Sequence, residues 1–153
     1  MKLVLSILMT LSIGAIAGFA TASNIDSWYA LLEKPFFNPP NWVFAPVWTL
    51  LYLLMGFAFY LIWKQPKSKP RNMAIRFFFF QLLLNFLWSF IFFEFHHIAL
   101  ALFDIIILWV MILLTIILFS RLNKPAGWML IPYLCWVGFA TLLNVYIVNL
   151  NVR

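Results

Sequence analysis

Gln81, Asn85 and Ser89 recur every fourth residue within a mostly apolar run, with Trp88 beside them. That spacing puts three hydrogen-bonding side chains on one stripe of a helix. Trp136, Ala140 and Asn144 form a second stripe that begins at Pro132, and the small Ala140 leaves a slot beside a large indole. Trp48, Tyr52 and Met55 repeat the pattern upstream, and Asp104, Met111 and Thr115 share roughly one side of a further apolar run. Taken one at a time, Ser, Thr and Asn in such places act as glue between helices. Together they describe the wall of a pocket, apolar and aromatic, with a few placed polar groups.

Asp104 is the one acid inside these runs. At about 1.5 Å per residue it lies roughly 10 Å from the nearer end of its segment, where an ionised carboxylate costs about 3 kcal/mol to place in lipid. It is expected to be protonated, or paired with an indole, an amide or a Tyr hydroxyl. No second buried ionisable group at helical spacing extends it into a proton relay. His96 and His97 are neighbours that would point about 100° apart on a helix, a poor arrangement for joint metal ligation, so with Glu94 they read as interfacial side chains and no metal site is expected. The chain has no G-x-x-x-x-G-K, no G-x-S-x-G, no paired cysteines and no H-E-x-x-H. Phosphate cradles, hydrolase elbows and zinc sites therefore have no support, and no dedicated enzyme chemistry is expected.

The stripes need a cover, and the segment Glu33 to Trp48 can supply one. It holds four of the eight prolines and two of the eight tryptophans in sixteen residues. Proline removes backbone donors and restricts both its own φ and the residue before it, so this connection is a stiff folded loop. Phe36, Phe37, Trp42, Phe44 and Trp48 would be unfavourable in water, which predicts that the loop packs over the mouth of a cavity. The alternative is a proline-rich linker with no ligand role.

The elements that position these residues are membrane spans. Two thirds of the 153 residues are apolar and 9% are charged, which departs from soluble domains in the direction of lipid. Apolar runs of about 20 residues predict a single all-α domain of five transmembrane helices at about residues 3–22, 43–63, 73–95, 98–119 and 125–150. Glu94, His96 and His97 break the long run from Phe77 to Ser120, giving a hairpin turned at the membrane surface. Pro125 suits a first helical turn, whereas Pro132 should loosen or kink the last helix. With five spans, Lys2, Lys64, Lys67, Lys69, Arg71, Arg76, Arg121 and Lys124 share one face, against Lys34 and Arg153 on the other. That split predicts a cytoplasmic N-terminus and an external C-terminus. The net charge of +6 thus reflects topology, and no nucleic-acid partner is expected.

Lys2, the apolar run to Phe19 and Ala20-Thr21-Ala22 also fit a cleavable signal peptide. Against cleavage, the run is long, and Gly14 with Gly18 makes a G-x-x-x-G face suited to close helix packing. Cys135 is the sole cysteine, so no internal disulfide forms.

Trp28-Tyr29-x-x-Leu32-x-Lys34-Pro35 followed by Pro39-Pro40-x-Trp42-x-Phe44-x-Pro46-x-Trp48 resembles the TspO/MBR family of tryptophan-rich sensory proteins and translocator proteins. Leu51-Tyr52-x-x-Met55-Gly56-x-Ala58, Gln81-x-x-Leu84-Asn85-x-x-Trp88-Ser89, Asp104, and the run from Pro132-Tyr133 through Trp136, Phe139-Ala140 and Leu143-Asn144 extend the resemblance over nearly the whole chain. It implies a five-helix bundle whose first loop caps a pocket for protoporphyrin IX, haem and drug-like benzodiazepine or isoquinoline ligands, with no required cofactor. The residues matching the family pocket are Tyr29, Pro39, Trp48, Asn85, Trp88, Trp136 and Ala140. Lys34 or loop amides would meet the porphyrin propionates, and no His or Cys among these residues ligates haem iron. Light-dependent porphyrin degradation, with Trp48 and Trp136 as redox-active partners, is the alternative activity. A small efflux or structural bundle without a specific ligand is the other alternative. The family's sterol pattern is incomplete: Leu143 and Tyr146 fit, but six residues separate Tyr146 from Arg153. The source reads as bacterial, and a homodimer stays open.

Overall fold

The computed structural model describes residues 1–152; all of its regular elements are helices, and five segments are long and apolar enough to cross a membrane. Arg153, counted above in the charge split and the sterol pattern, lies outside the described residues. The helices are α1 (Lys2–Ile25), α2 (Phe44–Trp63), α3 (Lys69–Ser89), α4 (Ile98–Leu122), α5 (Lys124–Met129) and α6 (Ile131–Asn151). The last two form one span, interrupted at Leu130. Pro132, near the start of α6, has no N–H to offer Trp128, which accounts for the break in the place where a kink was expected.

Capping groups fix several ends. Ser68 caps α3 by accepting from Arg71 N at 3.3 Å, so α3 begins four residues before the expected start. The Arg71 side chain turns back and donates to Ile62 O at 3.3 Å and Trp63 O at 2.7 Å, satisfying carbonyls that the end of α2 leaves free. Asn123 caps α5 through Ala126 N at 3.1 Å. At its other end α3 widens into a π-helical turn, Phe90–Glu94, with Phe95 N bonded to Phe90 O at 2.8 Å. His96 then takes φ 60° to reverse the chain. Its ring stacks on Trp28 at 4.1 Å, which holds this unusual backbone in place.

Lipid tails are as apolar as the side chains, so close packing and internal hydrogen bonds, not exclusion from water, must hold the bundle together. Phe78 stacks between Phe59 at 5.0 Å and Phe119 at 5.7 Å, joining α2, α3 and α4. Met55, Ile112 and Val137 fill the space around them with no exposed surface. The two glycines of α1 part company. A Cβ on Gly14 would overlap the Tyr52 ring, whereas one on Gly18 has nothing within 4 Å. Gly14 is a contact point between α1 and α2, and Gly18 is not. Below Gly14 the same two helices stay close, because Gly56 lies against Ile7 and Thr10 donates to Tyr52 O at 2.8 Å.

Candidate functional site

Above the contact at Gly14, α1 and α2 flank a half-open cavity of about 560 Å³, along which Gly18 and Ala22 are exposed. Its α1 wall is built from small side chains, among them Ala17, Gly18, Thr21 and Ala22, while Phe44, Trp48 and Tyr52 face it from α2. Asn41, Thr49 and Ser89 add polar groups. A mostly apolar space of this size with aromatic walls suits a small-molecule ligand.

A second opening, of about 30 Å³, is lined by Tyr29, Trp88, Phe92, Phe93, Ala140 and Asn144 among others. It has room for about one water. Phe44 lines both spaces, so its ring is the partition between them. Tyr29 meets Phe44 edge-on at 6.4 Å and Trp136 does so at 6.2 Å. The seven site residues named from the sequence are therefore divided. Trp48 lines the cavity, Tyr29, Trp88 and Ala140 line the crevice, and Trp136 rests against the partition. Pro39 and Asn85 line neither.

Asn85 belongs to a buried chain of hydrogen bonds. Tyr52 Oη donates to Asn85 Oδ1 at 3.0 Å, Asn85 Nδ2 donates to Tyr133 Oη at 2.6 Å, and Tyr133 Oη donates to Gln81 Oε1 at 2.7 Å. Each bond fixes the direction of the next, so the chain ties α2, α3 and α6 together and holds the Tyr52 side chain that packs on Gly14. Trp88 Nε1 donates to Asn144 Oδ1 at 3.2 Å, and Asn144 Nδ2 donates to Ile98 O at 3.0 Å. Both polar stripes thus supply interhelical ties. Of the two states expected of Asp104, pairing with an indole, an amide or a Tyr hydroxyl is not seen: Oδ2 is buried and unpaired, as are Gln81 Nε2 and Trp136 Nε1.

The loop packs down in part. Tyr29 Oη donates to Asn38 Oδ1 at 2.8 Å, and burial pushes the Tyr29 hydroxyl up to about 12, so it stays protonated. Phe37 packs edge-on against Tyr146 at 5.2 Å, and Asn151 grips Glu33 through both backbone groups at 2.8 and 2.9 Å. Phe36 and Trp42 instead stand out, 100% and 74% exposed. Lys34, expected to meet propionates, points its Nζ at the carbonyls of Tyr29 (2.8 Å) and Leu32 (2.9 Å), and burial lowers its pKa. Asn41 Nδ2 reaches Asp26 Oδ1 at 3.3 Å, bridging the ends of α1 and α2 above the cavity. Among the described residues no cluster of His, Cys, Asp and Glu could hold a metal ion.

The sequence names Phe44 only within the loop's aromatic cover, not among the pocket residues, and does not single out Asn151. Phe44 lies at i−4 from Trp48, so continuing the α2 stripe by one step would have found it. Asn151 carried no local signal, because its partner is 118 residues away.

Residues 6–150 match the model of the TspO/MBR family. The chain is 46% identical over 151 residues to the tryptophan-rich protein TspO of Archaeoglobus fulgidus, covering 99% of this chain and 97% of the relative. It is 37% identical to the tryptophan-rich sensory protein of Cereibacter sphaeroides, covering 82% and 78%. It is 38% identical to the translocator protein of Bos taurus, covering 76% and 70%.

Proposed function

Because the chain belongs to the TspO/MBR family, we propose that it is a multi-pass membrane receptor or carrier that binds tetrapyrroles and flat drug-like ligands in the cavity between α1 and α2. The observation that carries this reading is the cavity of about 560 Å³, walled by Phe44, Trp48 and Tyr52 on one side and by small α1 side chains on the other. A flat macrocycle gains by stacking on the indole and phenyl rings while its edge lies against Gly18 and Ala22. No His, Cys or Met lines this space, and the Tyr52 hydroxyl is already bonded to Asn85. The lining therefore suits the free macrocycle, protoporphyrin IX, at least as well as haem held through its iron.

The crevice around Ala140 enters the same site if Phe44 turns. Rotation of that one ring would join the cavity to Tyr29, Trp88 and Ala140. The N-terminus is assigned to the cytoplasm by the charge split.

Titration of the protein in lipid nanodiscs with protoporphyrin IX in the dark tests the reading, with saturable quenching of tryptophan emission as the expected result. Gly18→Leu puts a branched side chain into the cavity from a position where a Cβ meets nothing within 4 Å, so affinity should fall at least about tenfold while the fold is kept. Unchanged affinity would remove this cavity as the site. Illumination of the same sample tests the light-dependent reading, which requires a new absorbing product that is lost in Trp48→Phe.

A further inference from the structure

All three acids other than the buried Asp104 (Asp26, Glu33 and Glu94) sit at the end of the bundle that carries the proline-rich loop and the α3–α4 turn. The opposite end carries Lys2, Lys64, Lys67, Lys69, Arg71, Arg76, Arg121 and Lys124 and no acid. A positive-inside bias explains the sign of that end. Arg76 belongs to that bias but stands apart in position: it lies seven residues into α3, about 10 Å along the helix from Lys69, and is exposed between Ile75 and Phe77. Arg71, five residues earlier, is buried and its guanidinium is occupied by Ile62 O and Trp63 O. Arg76 sits instead on the surface that faces lipid.

Lys69, Asn72 and Arg76 fall on one stripe of α3, and all three are exposed. Arg71 Nη1 donates to Asn72 Oδ1 at 3.4 Å, which occupies the amide oxygen and leaves the exposed Asn72 N–H₂ as the donor. Two cations and an amide donor thus line about two turns of helix. The same stripe continues through Phe79, Phe80, Leu83 and Leu87, exposed by 41%, 47%, 51% and 38%. Donors at the membrane surface followed by an apolar track of several turns match the shape of one phospholipid: phosphate first, then acyl chain.

We propose that this face of α3 is a binding site for an anionic phospholipid, its phosphate held by Lys69, Asn72 and Arg76 and one acyl chain lying along Phe79, Phe80, Leu83 and Leu87. Charge complementarity selects this occupant over a second copy of the chain. A two-fold axis along the membrane normal through α3 would set the Lys69 and Arg76 side chains of both copies at equal depth, cation against cation. The apolar track alone gains little from a protein partner, since lipid tails cover it equally well.

Native mass spectrometry of the protein released from nanodiscs of mixed phosphatidylglycerol and phosphatidylcholine reads the site. The wild-type chain should retain the anionic lipid in preference. Lys69→Gln with Arg76→Gln should lower that preference by about 30-fold, the effect of removing two interfacial cations. Arg121→Gln with Lys124→Gln, on the same end but off α3, should change it by less than about threefold. Equal loss in both pairs would make the preference a property of the whole basic end and overturn the site. Absence of any preference in the wild type would do the same. Leu83→Cys in a Cys135→Ser background should stay uncrosslinked in anionic bilayers, and an efficient copy-to-copy disulfide there would assign this face to a second chain instead. Matching thermal midpoints in detergent establish that the variants are folded.

Discussion

Alanine at Gly14 and alanine at Gly18 are the same chemical change, one turn apart on one helix, and they should have opposite consequences. The new methyl at position 14 would overlap the Tyr52 ring, standing 2.7 and 2.8 Å from two of its atoms and nearer still to a third. Ordinary carbon contacts lie at about 3.5–4.0 Å, so α1 and α2 must part by roughly 1 Å or the ring must turn. The ring is not free to turn, because its hydroxyl is bonded to Asn85 at 3.0 Å and Asn85 in turn to Tyr133 at 2.6 Å. Overpacking of this kind costs about 1–3 kcal/mol, and a broken buried hydrogen bond adds about 1 kcal/mol. Exchanging glycine for alanine in a helix returns up to about 1 kcal/mol, leaving Gly14→Ala destabilised by about 2 kcal/mol. At Gly18 only the propensity gain remains, so Gly18→Ala should be neutral or slightly more stable. Thermal unfolding in one detergent, followed by circular dichroism, would place Gly14→Ala about 4–8 °C below the wild type and Gly18→Ala at or above it. Equal destabilisation by both would mean that Gly18 is also a helix contact, and that the space beside it closes in the membrane. Neutrality of both would mean that Tyr52 is not pinned by its hydrogen-bond chain.

Tyr133→Phe should destabilise the bundle by about 2–4 kcal/mol, since it leaves Asn85 Nδ2 and Gln81 Oε1 buried without partners. Tyr146→Phe, at an exposed position, should stay within about 0.5 kcal/mol, and equal effects in denaturant unfolding would refute the network. Ala140→Thr adds two heavy atoms to a crevice of about 30 Å³. The variant should fold, with a cost of no more than about 1–3 kcal/mol, and bind drug-like ligands more weakly; full affinity by calorimetry would separate the crevice from the site. A reporter fused after the C-terminus should be external and one inserted at Ser68 cytoplasmic, and the same side for both would refute the assigned orientation.

Periodicity and length alone determined the five spans, because a helix must satisfy its backbone internally in lipid and must be about 20 residues long to cross it. The hairpin at Glu94, His96 and His97 and the interruption near Pro132 were equally local matters of polarity and missing donors. Side-chain spacing also separated the buried stripes from the rest: Gln81, Asn85 and Ser89 are all buried. What spacing did not reveal is the use of each stripe. Asn85 and Asn144 can face a ligand or another helix with the same period, and only the positions of Tyr133, Tyr52 and Ile98 show both engaged in interhelical bonds. Gly14 and Gly18 are likewise indistinguishable in sequence. One meets Tyr52 and the other opens on the cavity because α1 and α2 diverge, and divergence is a property of two helices that neither encodes alone. The partition by Phe44 and the hold of Asn151 on Glu33 have the same origin: each depends on a distance between segments far apart in the chain, which only the packed bundle decides.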